Sequence, residues 1–550
     1  MVNCSWFAAG GRAMFIAKRA RMKFLHHLNF SHKVWLAILL IAGGVSGTYL
    51  RLELMRLAQT PGHADSAFYY TVARNIVAGR GLVLDYVFNY LDGLPPIPHY
   101  SSDFWHPLAS YLLAFPMKVL GLGVFNATLS SLAAGILIAV VAFYAGRAYS
   151  QTAEFGILTA LLTYFAPAQI YMSTTTDANI FFGLFGVLAL YFAMRGFKNP
   201  RYFLLAAVFT GLSHLTRQDG LLLLAAVLGS ILIASLPLKK RIGLGAMVVL
   251  IHALILSPLL LKNYSVFGVP FPSGPSHTMY LTEYEDFYAY GKTFSLKTYY
   301  GELGLKGIYK DKLDAAHDNL ALTISFLDRL VAIALPIALL ELLLLRGDRK
   351  KLQQLSPALL YSIIVYFFYA LVASYSRGST IKSLGSLLPF FYIIILDFAF
   401  ARLKKRWIIY PLLIAACIYL GNNGYQRMVN SHTHYNEVYA QLRQIQQVIL
   451  NDAARRNLPA AQVVVMSRDP WELYEATGLT AVMIPNNDLE TILQVANHYH
   501  VQYMILPAPR ADLHKIYNQK VQDPRLQHIK TFDKAIDIKI FHLNLETPAP

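Results

Sequence analysis

Asp65, His106, Asp177, Arg217, Asp219, Arg377 and Lys382 are the residues of this 550-residue chain whose types could do chemistry. Carboxylates accept a proton, Arg and Lys hold an anion while charge builds on it, and a histidine can do either. Each is expensive to keep in a membrane protein without a task or a partner. Asp65 lies in GHADSAFYYTVARNIVAGRG, where Phe68, Tyr69, Val72, Ala73, Ile76 and Val77 recur at helical spacing until Gly79 and Gly81 stop the run. The spacing predicts an amphipathic helix lying at the membrane interface. Asp65 falls at its N-terminus, where a carboxylate can cap free N–H groups and is kept ionised by the helix dipole.

Each of these residues also has a plain structural reading. Asp65 and Asp177 can be helix caps. His106, before Pro107, can simply start a helix. Arg217 and Asp219 can pair with each other at a turn, and Arg377 and Lys382 can anchor lipid headgroups. His214 and His252, alone on apolar segments, read as satisfied interior or interfacial side chains with no assigned role. What favours a common site is the set of elements around them, which places all seven at one face.

Those elements follow from composition. Hydrophobic residues make up 55% of the chain, charged residues only 14%, and mean hydropathy is +0.41, values that point to a polytopic membrane protein. The net charge of +17 gives no support for nucleic acid, because Lys and Arg fall in short runs between apolar segments. Two cysteines, Cys4 and Cys417, are expected at opposite ends of the fold and imply no disulfide framework.

A basic tail over 1–33 lacks any acidic residue and is expected in the cytoplasm. Val34 to Leu50 reads as a retained anchor. Apolar runs then follow at 126–144, 155–172, 180–194, 202–215, 220–236, 243–261, 321–345, 357–373, 385–400 and 407–420, giving about eleven spans. They form a transmembrane module over 34–425 with outer loops at 51–125 and 262–320. Every dense basic cluster then falls on one side, an independent check on runs chosen by apolarity alone. From 426 to 550, strand-like VVVMS, AVMIP and VQYMILP alternate with a helix LETILQVANHYH started by Asn487 and Glu490, predicting a small α/β domain on the outer side. No glycine-rich phosphate fingerprint follows these strands, so nucleotide binding has no support.

The succession HADSAFYYTVARNIVAGRGL, WHPLASYLLAFPMKVLG, a span ending in IYMSTTTDANIFFG, then GLSHLTRQDGLLLL resembles the membrane-bound glycosyltransferases of the GT-C superfold. The nearest relatives are the protein O-mannosyltransferases and the aminoarabinose transferases of lipid A. The resemblance covers most of 34–400, and the α/β tail is similar to the C-terminal domain of bacterial members. Order and sidedness carry it, more than any single motif. It implies a GT-C-like polytopic α-helical membrane protein with a C-terminal outer-face α/β domain, in the bacterial inner membrane. The implied activity is inverting transfer of a sugar from a polyprenyl-phosphate donor to a lipid, glycan or protein acceptor.

By this resemblance Asp65 corresponds to the first-loop acid and Asp177 to the second outer acid. His106 stands where many members carry a basic residue, so charge there is expected to depend on pH. Catalysis would fall to Asp65 as base, Asp177 as orienting acid and His106, with Arg217, Arg377 and Lys382 holding the donor phosphate. A divalent metal, Mg or Mn, is compatible with two acids at one face, although nothing in the sequence requires it. The paired acid of the mannosyltransferase pattern is absent, since Ser66 follows Asp65, which speaks against protein mannosylation specifically. The competing classes are a transporter or flippase of a lipid-linked or anionic solute, and a non-catalytic assembly scaffold. A transporter would place polar sites near the bilayer midplane, often in repeated halves, and no internal repeat is evident.

Overall fold

The computed structural model describes residues 33–545 apart from 273, 347, 375–378, 404 and 508–512. Most of the expected basic tail, Cys4 and Arg377 therefore lie outside the described residues. Among the described residues seven helices are long and apolar enough to cross a membrane: Lys33–Leu57, Val124–Ser150, Asn179–Gly196, Leu238–Phe267, Arg349–Val372, Ser379–Arg402 and Ile408–Arg455. A bent pair, Ala153–Phe165 and Pro167–Ser173, makes an eighth if it counts as one span. Tyr202–Thr216, Gly220–Ile233 and Val331–Leu344 are apolar but shorter, so helix length alone accounts for seven or eight of the eleven expected spans. The run expected at 321–345 is interrupted at Asp328, a buried residue at φ 71°, which separates the helices Leu296–Leu327 and Arg329–Leu340. Large apolar side chains such as Trp35, Ile41 and Val45 face outward along the first helix, as a lipid-exposed surface requires.

The bent pair positions part of the site. Pro167 starts its second helix, and the two axes differ by 64°. A proline has no N–H to continue the ladder, so carbonyls before the bend lose their partners. Arg51, fully buried on the first span, supplies one: its guanidinium donates to the Tyr164 carbonyl (2.5 Å), the Gly47 carbonyl (2.9 Å) and Ser173 Oγ (2.7 Å). The bend then delivers Thr174–Ala178 as a buried turn that leads into the span Asn179–Gly196.

The C-terminal part forms a six-stranded sheet in the order Tyr86–Val87, Thr480–Met483, Val464–Ser467, Tyr503–Pro507, Asp537–Leu543, Leu526–Asp533. The first four strands run parallel and are buried on both faces, which suits their apolar runs. The edge strand was not expected: it comes from the first loop, pairing Tyr86 with Ala481 and Val87 with Val482. Tyr90 Oη also donates to the Met483 carbonyl (2.5 Å), and Arg74 and Thr71 of the first-loop helix bond Glu475 at 3.0 and 2.7 Å. The first loop and the sheet thus share one apolar core. The helix Leu489–His498 is capped by Asp488, whose carboxylate accepts the Thr491 N–H at 2.8 Å, and not by Asn487, which bonds the backbone of Tyr290. One helix, Arg406–Arg455, is about 75 Å long at the usual rise and runs without interruption from the bundle into the sheet domain.

Close helix contact depends on small residues. A Cβ on Gly186 would sit 2.0 Å from Ser386 Oγ, on the segment that also carries Lys382. Gly186→Val should therefore push that segment away, at a cost of about 1–3 kcal/mol for overpacking. A lower melting temperature in detergent, with weaker ligand binding at the site described next, is the expected result; an unchanged melting temperature would contradict this packing.

Candidate active site

The first-loop helix spans Ala64–Val77, with His63 as its N-cap and Asp65 its second residue. Asp65 does not spend its carboxylate on the helix end. It forms an ion pair with Lys382 Nζ, from the short helix Ser379–Leu384 far along the chain. Burial alone would push this carboxyl up, but Lys382, His63 and Arg217 together hold it down at about 2. The next residue, Ser383, donates to Asp219 Oδ2 at 2.8 Å, so one short helix ties two acids from distant loops.

Asp219 also accepts both contacts of Arg217, Nη2 at 3.0 Å and Nε at 3.3 Å. The pair at the turn between Tyr202–Thr216 and Gly220–Ile233 is therefore formed, and both members still line the cavity. His106 lies in the first loop before Pro107, and its Nδ1 bonds the His214 carbonyl oxygen, three residues before Arg217. Burial keeps the ring below its usual range, outweighing this hydrogen bond, which favours the charged form. His106 is thus neutral near pH 7, which corrects the expectation of a pH-dependent charge there. Its ring stacks on His214, whose Nδ1 is 3.0 Å from His252 Nε2, and His252 Nδ1 is 3.0 Å from Thr210 Oγ1. The two histidines without an assigned role are satisfied interior groups in one hydrogen-bonded row.

Asp177 is fully buried in the turn before Asn179–Gly196. It accepts the Asn179 N–H at 3.2 Å and Asn179 Nδ2 at 2.8 Å, so it does serve as a local cap. It also stands 3.5 Å from His63 Nε2, and burial together with the Asp65 charge pushes its carboxyl up. His63 is also 2.8 Å from Tyr171 Oη and 3.3 Å from Ser66 Oγ. In the sequence it carries no signal except its place two residues before Asp65.

Asp65, His106, Arg217, Asp219 and Lys382 line one cavity of about 520 Å³, while Asp177 lies behind it. Leu221, Leu222, Leu256, Leu259 and Leu260 form an apolar wall of the same cavity, and Trp471 reaches in from the sheet domain. Arg377 lies outside the described residues. Among the described residues no group of three acids, histidines or cysteines is arranged to hold a metal ion, and Asp65 is engaged by Lys382.

A family profile described as dolichyl-phosphate-mannose-protein mannosyltransferase matches residues 105–261, which include His106, Asp177, Arg217 and Asp219. The structure is similar to ArnT from Cupriavidus metallidurans bound to undecaprenyl phosphate, with a TM-score of 0.58 at 13% identity over 92% of this chain and 99% of that one. It is also similar to the oligosaccharyltransferase of Archaeoglobus fulgidus in complex with Zn and sulfate, with a TM-score of 0.54 at 13% identity, covering 91% of this chain and 72% of that one. The archaeal oligosaccharyltransferase AglB from the same organism, in complex with an inhibitory peptide and a dolichol-phosphate, gives 0.52 at 13% identity, covering 94% and 75%. No curated protein sequence matches. The chain has the GT-C fold of membrane glycosyltransferases.

The Asp65–Lys382 pair makes a stability prediction with a definite sign. A carboxyl held at about 2 in the folded chain and near 3.9 when unfolded stabilises the fold above about pH 4, and that contribution is lost as pH falls toward 2. Asp65→Asn and Lys382→Met should each lower the melting temperature at pH 7 by stranding the other partner, whereas the double variant should lose less than the sum. Additive losses in thermal melts would show that the two side chains do not interact.

Proposed function

We propose that this membrane protein is an inverting glycosyltransferase that moves a sugar from a polyprenyl-phosphate donor to a lipid, glycan or protein acceptor at the outer face of a cell membrane, in a bacterium the inner membrane. The observation that carries this reading is the mixed lining of the first cavity. Its leucines suit a lipid chain, and Lys382 and Arg217 in the same lining are cations suited to the phosphate joining that lipid to a sugar. The fold supports the same reading, as does the undecaprenyl phosphate and dolichol-phosphate bound to the similar proteins. The basic runs Lys239–Arg241 and Arg349–Lys351 support the orientation, with the N-terminus cytoplasmic and the sheet domain outside.

In the reaction, the acceptor oxygen attacks the anomeric carbon from the face opposite the phosphate, and the bond from that carbon to the phosphate oxygen breaks. Configuration inverts because there is one displacement. The acceptor proton goes to Asp65. Before transfer the donor phosphodiester carries one negative charge and Asp65 another; afterwards Asp65 is neutral and the released phosphate monoester carries two. Lys382 is the group that answers this change: it leaves the carboxylate as that charge disappears and turns to the phosphate as charge builds there. Its departure also lets burial raise the Asp65 pKa, which makes the carboxylate a better base when one is needed. Arg217, fixed by Asp219, which Ser383 holds in turn, is the stationary cation. Asp177, whose own ionisation burial and the Asp65 charge oppose, orients His63. His106, being neutral, positions the loop against the helix end that carries Arg217.

The purified protein, given a polyprenyl-phosphate sugar and an acceptor, should release free polyprenyl phosphate, and Arg217→Ala should raise the donor KM by about tenfold or more with the acceptor KM little changed. No release by the wild-type protein would favour a transporter or flippase, and an unchanged donor KM would remove Arg217 from the phosphate site.

A further inference from the structure

A second cavity, of about 480 Å³, adjoins the first and shares Asp103, Phe104 and Pro272 with it as a common wall. Its polar lining comes from Asn89, Asp92, His99 and Asp103, and its aromatic lining includes Phe104 and Phe267. Among the described residues no Lys or Arg lines it. The contrast with the first cavity, where Arg217 and Lys382 stand ready for an anion, is one of charge.

We infer that this second cavity binds the head of the acceptor, and that the head is a neutral or amine-bearing carbohydrate, not an anionic one. The assignment rests on the glycosyltransferase reading above. Hydroxyl and ammonium groups are donors, and the wall offers acceptors: the Asp103 carboxylate, 4.0 Å from His99 Nε2, and Asp92, which already holds the Gly274 N–H at 2.8 Å. His99, its side chain only 6% exposed, belongs to the same lining. A phosphate or carboxylate placed here would lose water beside two acids with no cation in return. The aromatic rings offer flat apolar surfaces to the C–H face of a sugar.

The titratable groups agree on sign. Burial takes His99 down to about 4, against the opposing influence of Asp85, so it is neutral at physiological pH. Burial first, then Asp92, lifts Asp103 to about 7. The cavity thus ranges from neutral to negative and is not positive. The common wall places an acceptor head beside the cavity that contains Asp65, as a displacement at the donor's anomeric carbon needs.

Binding of glucosamine and of glucuronic acid to the purified full chain in detergent, followed at pH 8 by ligand-observed NMR, tests this. Glucosamine should bind saturably and at least tenfold more tightly than glucuronic acid. Asp103→Asn, which keeps the side-chain acceptor for the Phe104 N–H, and Val269→Trp, which fills the cavity from its rim, should each weaken glucosamine by about tenfold. Undecaprenyl phosphate affinity, measured on the same samples, should be unchanged by Val269→Trp, which lines only the second cavity, and thermal melts report that both variants are folded. Glucuronic acid binding as tightly as glucosamine, no saturable glucosamine binding, or full glucosamine affinity in folded Asp103→Asn would each overturn the proposal. Failure of the wild-type chain to bind undecaprenyl phosphate would instead sink the donor assignment, while the glucosamine pattern would still decide what the second cavity takes.

Discussion

The ion pair between Asp65 and Lys382 is the constraint on which the site depends. Its two members are separated by most of the transmembrane module, so the contact exists only if the first-loop helix and the short helix Ser379–Leu384 are brought to the same place. Several features of the fold serve that end. Arg51 stabilises the bend before Asp177, Gly186 lets the segment carrying Lys382 approach its neighbour, and Ser383 ties that segment to Asp219 and Arg217. Arg51 and Ser383 each give a polar group an internal partner that lipid could not supply.

The sheet domain belongs to the same construction. Its edge strand, Tyr86–Val87, is part of the first loop, and Glu475 on its helix Pro470–Thr477 holds Thr71 and Arg74 of the helix that begins with Asp65. Trp471, from the same short helix, lines the cavity. The domain therefore braces the helix that presents the carboxylate, and the continuous helix Arg406–Arg455 fixes its distance from the bundle.

Much of this was legible in the sequence because apolarity and periodicity are local. The first-loop helix, the longer spans and the strands around Val464, Thr480 and Tyr503 follow from runs of side chains that need no distant partner to be recognised. The pairing of Asp65 with Lys382 was not legible, nor was the edge strand from the first loop, because both are contacts between far segments. His106 shows the limit for charge: its residue type suggests titration near neutral pH, while burial, set by the fold, keeps it neutral against the opposing pull of the His214 carbonyl. Asn487 and Asp488 are both good caps by type, and only the tertiary bond to Tyr290 shows which one is occupied elsewhere. The second cavity has no motif at all, since its lining is assembled from a proline-rich loop and the end of the helix Leu238–Phe267.

In the proposed reaction Lys382 is shared, holding Asp65 at rest and the phosphate after transfer. The most direct measurement is the affinity of undecaprenyl phosphate for wild type and for Asp65→Asn, taken alongside sugar transfer. Removing the carboxylate charge frees Lys382 and lowers repulsion toward the phosphate, so the variant should bind undecaprenyl phosphate about tenfold more tightly while losing roughly 10²–10⁴-fold in transfer rate. Unchanged or weaker binding together with lost transfer would mean that the pair only holds the site together, and full transfer would mean that Asp65 is not the base.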